Sequence, residues 1–233
     1  MDNTMPILLV PGLVSSPRIY APVAPALWRF GPVEIADHTR DSSMDAIAAR
    51  ILADAPPRFA LAGLSMGGYL ALTFMRQAPE RVQKLALLDD LGAAGNAGAK
   101  RATQAPDRAR RKRSIRRNSG AAVSVFRPSQ PPRRRSAARA RAPHGRGDRS
   151  AGLLASAAGD HDAARCATLL AAIKCPTLVL VGDGDALTPP ALSREIADGI
   201  SGSRLVIVPD CGHLSTMEQP EAVNKALVEW MTD

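Results

Sequence analysis

The chain has 233 residues, 45% hydrophobic but only 3% aromatic, which is enough for one α/β domain with a core of Leu, Val, Ile and Ala. Its formal net charge is +8, yet residues 101–150 hold 16 of the 30 Lys and Arg and only Asp107 and Asp148 of the 22 acids. That segment is at +14 and the other 183 residues are at 14 − 20 = −6, so the composition excludes a uniformly basic nucleic-acid-binding domain.

In chain order, the opening MDNTMPILLVPGL has no basic stretch and its apolar run is broken at Pro11, so no signal peptide is expected. Pro6 to Val10 reads as a buried strand, stopping at a turn of Pro11, Gly12 and Leu13 whose amides could face a reacting oxygen. Pro17 to Leu27 is weakly helical, and Val33 to Ala36 is a second strand. Asp41, Ser42 and Ser43 supply cap residues for an apolar-periodic helix from Met44 to Ala53, and Pro56 and Pro57 end that connection.

The stretch RFALAGLSMGGYL, Arg58 to Leu70, organises the rest. Phe59 to Leu64 is a short buried strand, Ser65 stands between Gly63 and Gly67, and a helical pattern runs from Met66 to about Gln77. A serine on such a strand-to-helix turn is held in a strained backbone conformation that lifts its hydroxyl clear of the sheet, which suits a nucleophile. The bare G-x-S-x-G pattern also fits an ordinary Gly-rich turn, so the residues downstream must decide.

Lys84 to Leu88 is another buried strand, and apolar strands alternating with helical segments indicate a parallel sheet covered on both faces. From Leu91 to about Arg165 Gly, Ala, Arg, Pro and Ser dominate, and a segment so poor in large apolar residues reads as disordered. Order is expected to return near Leu169. Pro176 to Val181 is a strand ending in the loop Gly182 to Pro190, Ala191 to Ile200 is helical, and Arg204 to Val208 is a last strand followed by Cys211, Gly212 and His213. Pro220 to Met231 closes the chain as an amphipathic helix. No run approaches the length needed to cross a bilayer. Three cysteines, Cys166, Cys175 and Cys211, without metal-like spacing favour reduced thiols in a cytoplasmic protein.

Acyl-transfer chemistry needs a nucleophile, a base, an acid that orients the base, and amide donors for the oxyanion. The chain offers Ser65, then Asp183 or Asp185, then His213, each just after an expected strand. Asp210 and Glu218 read as solvated charges, and His38, His144 and His161 fall in no motif. The sequence resembles the α/β-hydrolase fold family, in its small esterase-like members, at PILLVPGL, FALAGLSMGGYLAL, TLVLVGDGDALTPP and VIVPDCGHLSTMEQPEAVNKAL.

The match covers about residues 5–90 and 169–231. It implies one α/β-hydrolase domain over 1–233, with a mainly parallel twisted sheet flanked by helices and an Arg/Ala/Pro-rich insert at 91–168 where the family carries a helical cap. It implies Ser65 as nucleophile, Asp185 as the acid of the G-x-x-D-x-x-T-P loop, His213 as the base, and the amides of Leu13 and Met66 as the oxyanion hole. The family spacing favours Asp185 over Asp183, which is left as a turn or cap residue. The implied activity is that of a cytoplasmic serine esterase on a small-molecule acyl substrate, through an acyl-enzyme, with no cofactor, metal or membrane partner. Haloperoxidases and lyases use the same triad on this fold.

The middle segment admits three readings. A basic insert centred on ARRKRSIRR, Ala109 to Arg117, would bind nucleic acid or an acidic surface, but no aromatic residues interleave the charges to stack bases, so no nucleic-acid partner is expected. A reading-frame shift fits better: Arg, Ala, Pro, Gly and Ser have GC-rich codons. Ala142 to Cys166 can be encoded so that the next frame gives a charged amphipathic helix similar to the family's cap, with compensating shifts expected near residues 91–105 and 166–170. The third reading is an unrelated linker.

Overall fold

The structure, a computed structural model, describes residues 4–13, 15–90 and 163–233. In these residues six strands form one all-parallel sheet in the order β2-β1-β3-β4-β5-β6. The strands are β1 (Ile7–Val10), β2 (Val33–Ile35), β3 (Phe59–Leu64), β4 (Val82–Leu88), β5 (Thr177–Gly182) and β6 (Arg204–Val208). The α-helices are α1 (Ala24–Leu27), α2 (Met44–Asp54), α3 (Met66–Gln77), α4 (Ala163–Ala172), α5 (Pro190–Gly199), α6 (Ser215–Glu218) and α7 (Pro220–Thr232).

Apolar residues occur at successive positions of β1, β3 and β5 because both faces of the sheet are covered. Leu8, Val10, Phe59, Leu61, Leu85 and Leu87 pack with α2 and α3 on one face. Ile7, Leu9, Ala60, Ala62, Leu64 and Leu88 pack on the other with Tyr20, Leu27, Leu227 and Trp230. Removing a Leu or Phe of this kind from water contributes about 2–3 kcal/mol. Ser43 caps α2, its hydroxyl accepting from the Ala46 N–H at 3.3 Å, so the cap expected among residues 41–43 falls on the last of them.

One boundary differs from the sequence reading. The helix α4 begins at Ala163, ahead of the expected Leu169, and Cys166, Leu170 and Ile173 are buried with Leu169 packed beside them. These four residues share the helical spacing i, i+3, i+4, i+7. The alanines between them hide that period in a segment judged by composition. The basic residues 101–150, the cap position, the frame-shift reading, His144 and His161 lie outside the described residues. No helix among the described residues is long and apolar enough to cross a membrane.

A parallel sheet puts all its strand C-termini on one edge, where ligands of open α/β sheets bind. Along that edge lie Gly12 and Leu13 after β1, Ser65 after β3, Asp89 after β4, Asp183 and Asp185 after β5, and His213 beyond β6.

Candidate active site

Ser65 stands between β3 and α3 with φ 55° and ψ −118°, a conformation that a residue with a side chain adopts only when its surroundings enforce it. The neighbouring glycines show what enforces it. A Cβ on Gly63 would lie 2.1 Å from the Gly67 carbonyl oxygen, and one on Gly67 would lie 2.0 Å from that of Val10. β1, β3 and the start of α3 thus meet backbone to backbone, which any larger residue would prevent. The Ser65 N–H donates to Leu88 O at 2.8 Å and its carbonyl accepts from Gly68 N at 2.8 Å, which fixes the turn at both ends. The buried Tyr20 hydroxyl donates to Val10 O at 2.8 Å and holds the end of β1 against this turn.

The turn brings the Ser65 hydroxyl 2.9 Å from His213 Nε2. On the other side of the ring, Nδ1 is 2.8 Å from Asp185 Oδ2. With Nδ1–H donating to the carboxylate, Nε2 is left as an acceptor for the serine proton. Asp185 also receives the N–H groups of Leu187 (2.8 Å) and Thr188 (2.9 Å) and the Thr188 hydroxyl, whose oxygen lies 3.2 Å from His213 Nδ1. Burial opposes ionisation of Asp185, but these hydrogen bonds, led by the one from His213, outweigh it and hold the carboxyl at about 2. For His213 burial disfavours the charged ring, and the hydrogen-bonded Asp185 reverses that, so its pKa is raised.

The structure therefore brings together Ser65, Asp185 and His213. Asp183 is not in this chain of hydrogen bonds: its Oδ1 accepts the Cys211 N–H at 3.3 Å, and the Gly184 N–H donates to Cys211 O at 2.9 Å, which ties the loop after β5 to the turn that carries His213. The Met66 N–H is at the first position of α3, where no intrahelical acceptor exists. Leu13 lies in the turn after β1, beside the contact of Gly67 with Val10. Asp210 is exposed with φ 50°, as a solvated charge would be, but Glu218 is more than that. Its two carboxylate oxygens accept the N–H groups of Gly212 (2.7 Å) and Leu214 (2.9 Å), either side of His213.

Two participants had no assigned role in the sequence reading. The sequence gives Thr188 no role beyond its place in the G-x-x-D-x-x-T-P loop, although a Thr three residues past a candidate acid can donate to it. Asp89 is fully buried with φ 50°, and burial pushes its carboxyl up to about 7 against the hydrogen bonding from Ser215. Its signal was an acid directly after a buried strand, the same station that Ser65 occupies after β3. Among the described residues no group of three or more His, Cys, Asp or Glu could hold a metal ion.

The chain matches the alpha/beta hydrolase family over residues 7–226. BpoC of Mycobacterium tuberculosis, named as a non-heme bromoperoxidase, is 45% identical over 58 residues, which is 25% of this chain and 22% of that protein. A 2-hydroxy-6-oxononadienedioate/2-hydroxy-6-oxononatrienedioate hydrolase of Escherichia coli is 36% identical over 62 residues, 27% of this chain and 22% of the relative. The matches thus span about a fifth of the length of these relatives. In fold, the chain is similar to a thermophilic esterase from Thermogutta terrifontis, with a TM-score of 0.66 and 23% identity over 99% of this chain and 90% of that one. It is equally similar to the enol-lactonase of Burkholderia xenovorans LB400, with a TM-score of 0.66 and 20% identity over 99% and 92% of the two chains. At these identities the likeness establishes the fold. The family match covers nearly the whole sequence, and the chain belongs to the alpha/beta hydrolase family.

Proposed function

We propose that the chain is a serine hydrolase that cleaves a carboxylic ester or related acyl compound through an acyl-enzyme. The observation that carries this reading is the continuous hydrogen-bonded path from the Ser65 hydroxyl through His213 to Asp185, at 2.9 and 2.8 Å, on a strained serine turn. In this mechanism His213 Nε2 takes the Ser65 proton as Oγ attacks the acyl carbonyl. The N–H groups of Leu13 and Met66 hold the developing oxyanion, the second at the N-terminal end of α3 where the helix dipole favours negative charge. His213 returns the proton to the departing alcohol, and a water activated by the same nitrogen then releases the acid. Asp185 keeps Nδ1 protonated and stabilises the imidazolium that forms twice per cycle.

The similarity to BpoC favours a second reading, haloperoxidase chemistry at the same three residues, and bromide oxidation assayed with hydrogen peroxide separates the two. The hydrolase is tested with a fluorophosphonate probe and a p-nitrophenyl ester. Wild-type protein is expected to be labelled at Ser65, and Ser65→Ala to lose labelling together with about 10⁶-fold in kcat. Folded wild-type protein that resists the probe would refute the proposal.

A further inference from the structure

Four main-chain N–H groups next to His213 in sequence, those of Cys211, Gly212, Leu214 and Ser215, all donate to carboxylates. Cys211 donates to Asp183, and Gly212 and Leu214 donate to Glu218 on α6. Ser215 donates to Asp89 Oδ2 at 3.2 Å. Asp89 reaches further. Its Oδ1 accepts the Gly182 N–H at 3.3 Å, at the end of the strand that leads to Asp185, and its own N–H donates to Leu180 O at 2.8 Å. One buried carboxylate thus bridges the histidine turn and the acid strand. Glu218 approaches from outside, so closely that a Cβ on Gly212 would lie 2.9 Å from Glu218 Oε2 and push the carboxylate aside.

We propose that Asp89 and Glu218 are positioning residues, which fix the His213 turn from its buried and exposed sides so that the imidazole spans Ser65 and Asp185. The proposal rests on the hydrolase reading of those three residues. Hydrogen bonds accepted by a carboxylate are shorter and stronger than neutral ones. A carboxylate receiving two N–H groups has no amide equivalent, because the NH₂ of Asn or Gln would face one of the donors.

These charges also act on the ring itself. Asp185 faces His213 from the loop after β5, Asp89 from the end of β4 and Glu218 from α6, while Cys211 lies on its own turn. After the dominant Asp185, both Asp89 and Glu218 raise the basicity of the ring. Neutralising Glu218 lowers the pKa of His213, so the acid limb of the reaction, which requires neutral imidazole, moves to lower pH, whereas Asp89, its carboxyl pushed up to about 7 by burial, already holds its proton over most of that limb. A merely structural loss would reduce the amplitude and leave the limb in place.

The test is the rate at which Ser65 is labelled by a fluorophosphonate, followed against pH in wild type, Glu218→Gln and Asp89→Asn, with Ser65→Ala as control. Each carboxamide variant is expected to slow labelling about 10- to 100-fold, the range for a small misplacement of reacting groups, and Glu218→Gln also to shift the acid limb downwards. Glu218 is exposed, so if Asp89→Asn does not fold, Glu218→Gln decides. A folded variant whose rate is unchanged, or a Glu218→Gln protein whose limb does not move, overturns the proposal. Labelling of wild type that persists in Ser65→Ala identifies instead a failure of the hydrolase reading.

Discussion

Two turns carry the candidate site, and they are held by different physics. The serine turn, Gly63 to Gly68, is shaped by steric contact: backbone meets backbone at Gly63 and Gly67, and no side chain caps the helix that follows. The histidine turn, Cys211 to Ser215, is held by charge, its N–H groups received by Asp183, Glu218 and Asp89. A sterically defined turn is indifferent to pH and salt but intolerant of a single added carbon. A turn held by ionised groups tolerates changes of size yet responds to protonation. In the proposed mechanism the attacking atom thus sits on the rigid turn and the proton carrier on the responsive one.

Gly67→Ala breaks the first turn and is expected to have the largest effect. The new Cβ meets Val10 O at 2.0 Å with only backbone to give way. Activity should fall to background and stability by about 3 kcal/mol, at the upper end of what overpacking costs, as read by ester hydrolysis and chemical denaturation. Asp185→Asn acts on the second turn without adding bulk. Activity is expected to drop about 10⁴-fold because the ring loses the acceptor that selects its tautomer, while denaturation shows a folded protein. Thr188→Val removes only the hydroxyl shared by Asp185 and His213. Loss of one such bond lowers kcat about tenfold, with KM nearly unchanged.

Fold and site were legible in the sequence to different depths. Strands buried on both faces announce themselves as unbroken apolar runs, as Phe59–Leu64 and Thr177–Gly182 do. Ser65, Asp185 and His213 stand out because they are of the few residue types that can serve as nucleophile, acid and base, each placed just after a strand. Asp89 and Glu218 do not stand out, since their partners are main-chain N–H groups that every non-proline residue possesses. No residue pattern records which amide a carboxylate will meet. Glu218 was read as a solvated charge for that reason. The start of α4 is hidden for another reason: its apolar side chains Cys166, Leu169 and Leu170, with Ile173 just past its end, stand among alanines, too sparse a period to register beside the Arg-rich stretch before it.

The smallest expected effect is on stability against pH, and it separates the two acids. Asp185 is held at about 2 when folded against about 4 when unfolded, so its contribution, about 2 kcal/mol, is complete above pH 4 and is lost as pH falls towards 2. Asp89, raised to about 7, has the opposite sign: stability tied to its proton is present below pH 4 and is lost as pH rises through 7. Thermal melts across pH should therefore show a shallower acid loss in Asp185→Asn and a flatter course between pH 4 and 7 in Asp89→Asn.

The parallel pairing of β4 with β5 also sets the order in which the site can form. Leu88, whose carbonyl receives the Ser65 N–H, pairs with Leu180, whose carbonyl receives the N–H of Asp89. The serine turn and the strand that leads to Asp185 are thus joined through two neighbouring strands that are far apart along the chain. Closing so long a connection costs entropy before any contact compensates for it, and topologies dominated by distant pairings fold slowly. The local pieces β1, β3 and α3 can assemble early and present a strained serine with no base beside it. During refolding, probe reactivity should return after helical signal has recovered, because the centre becomes competent only when the last long-range strand pair closes.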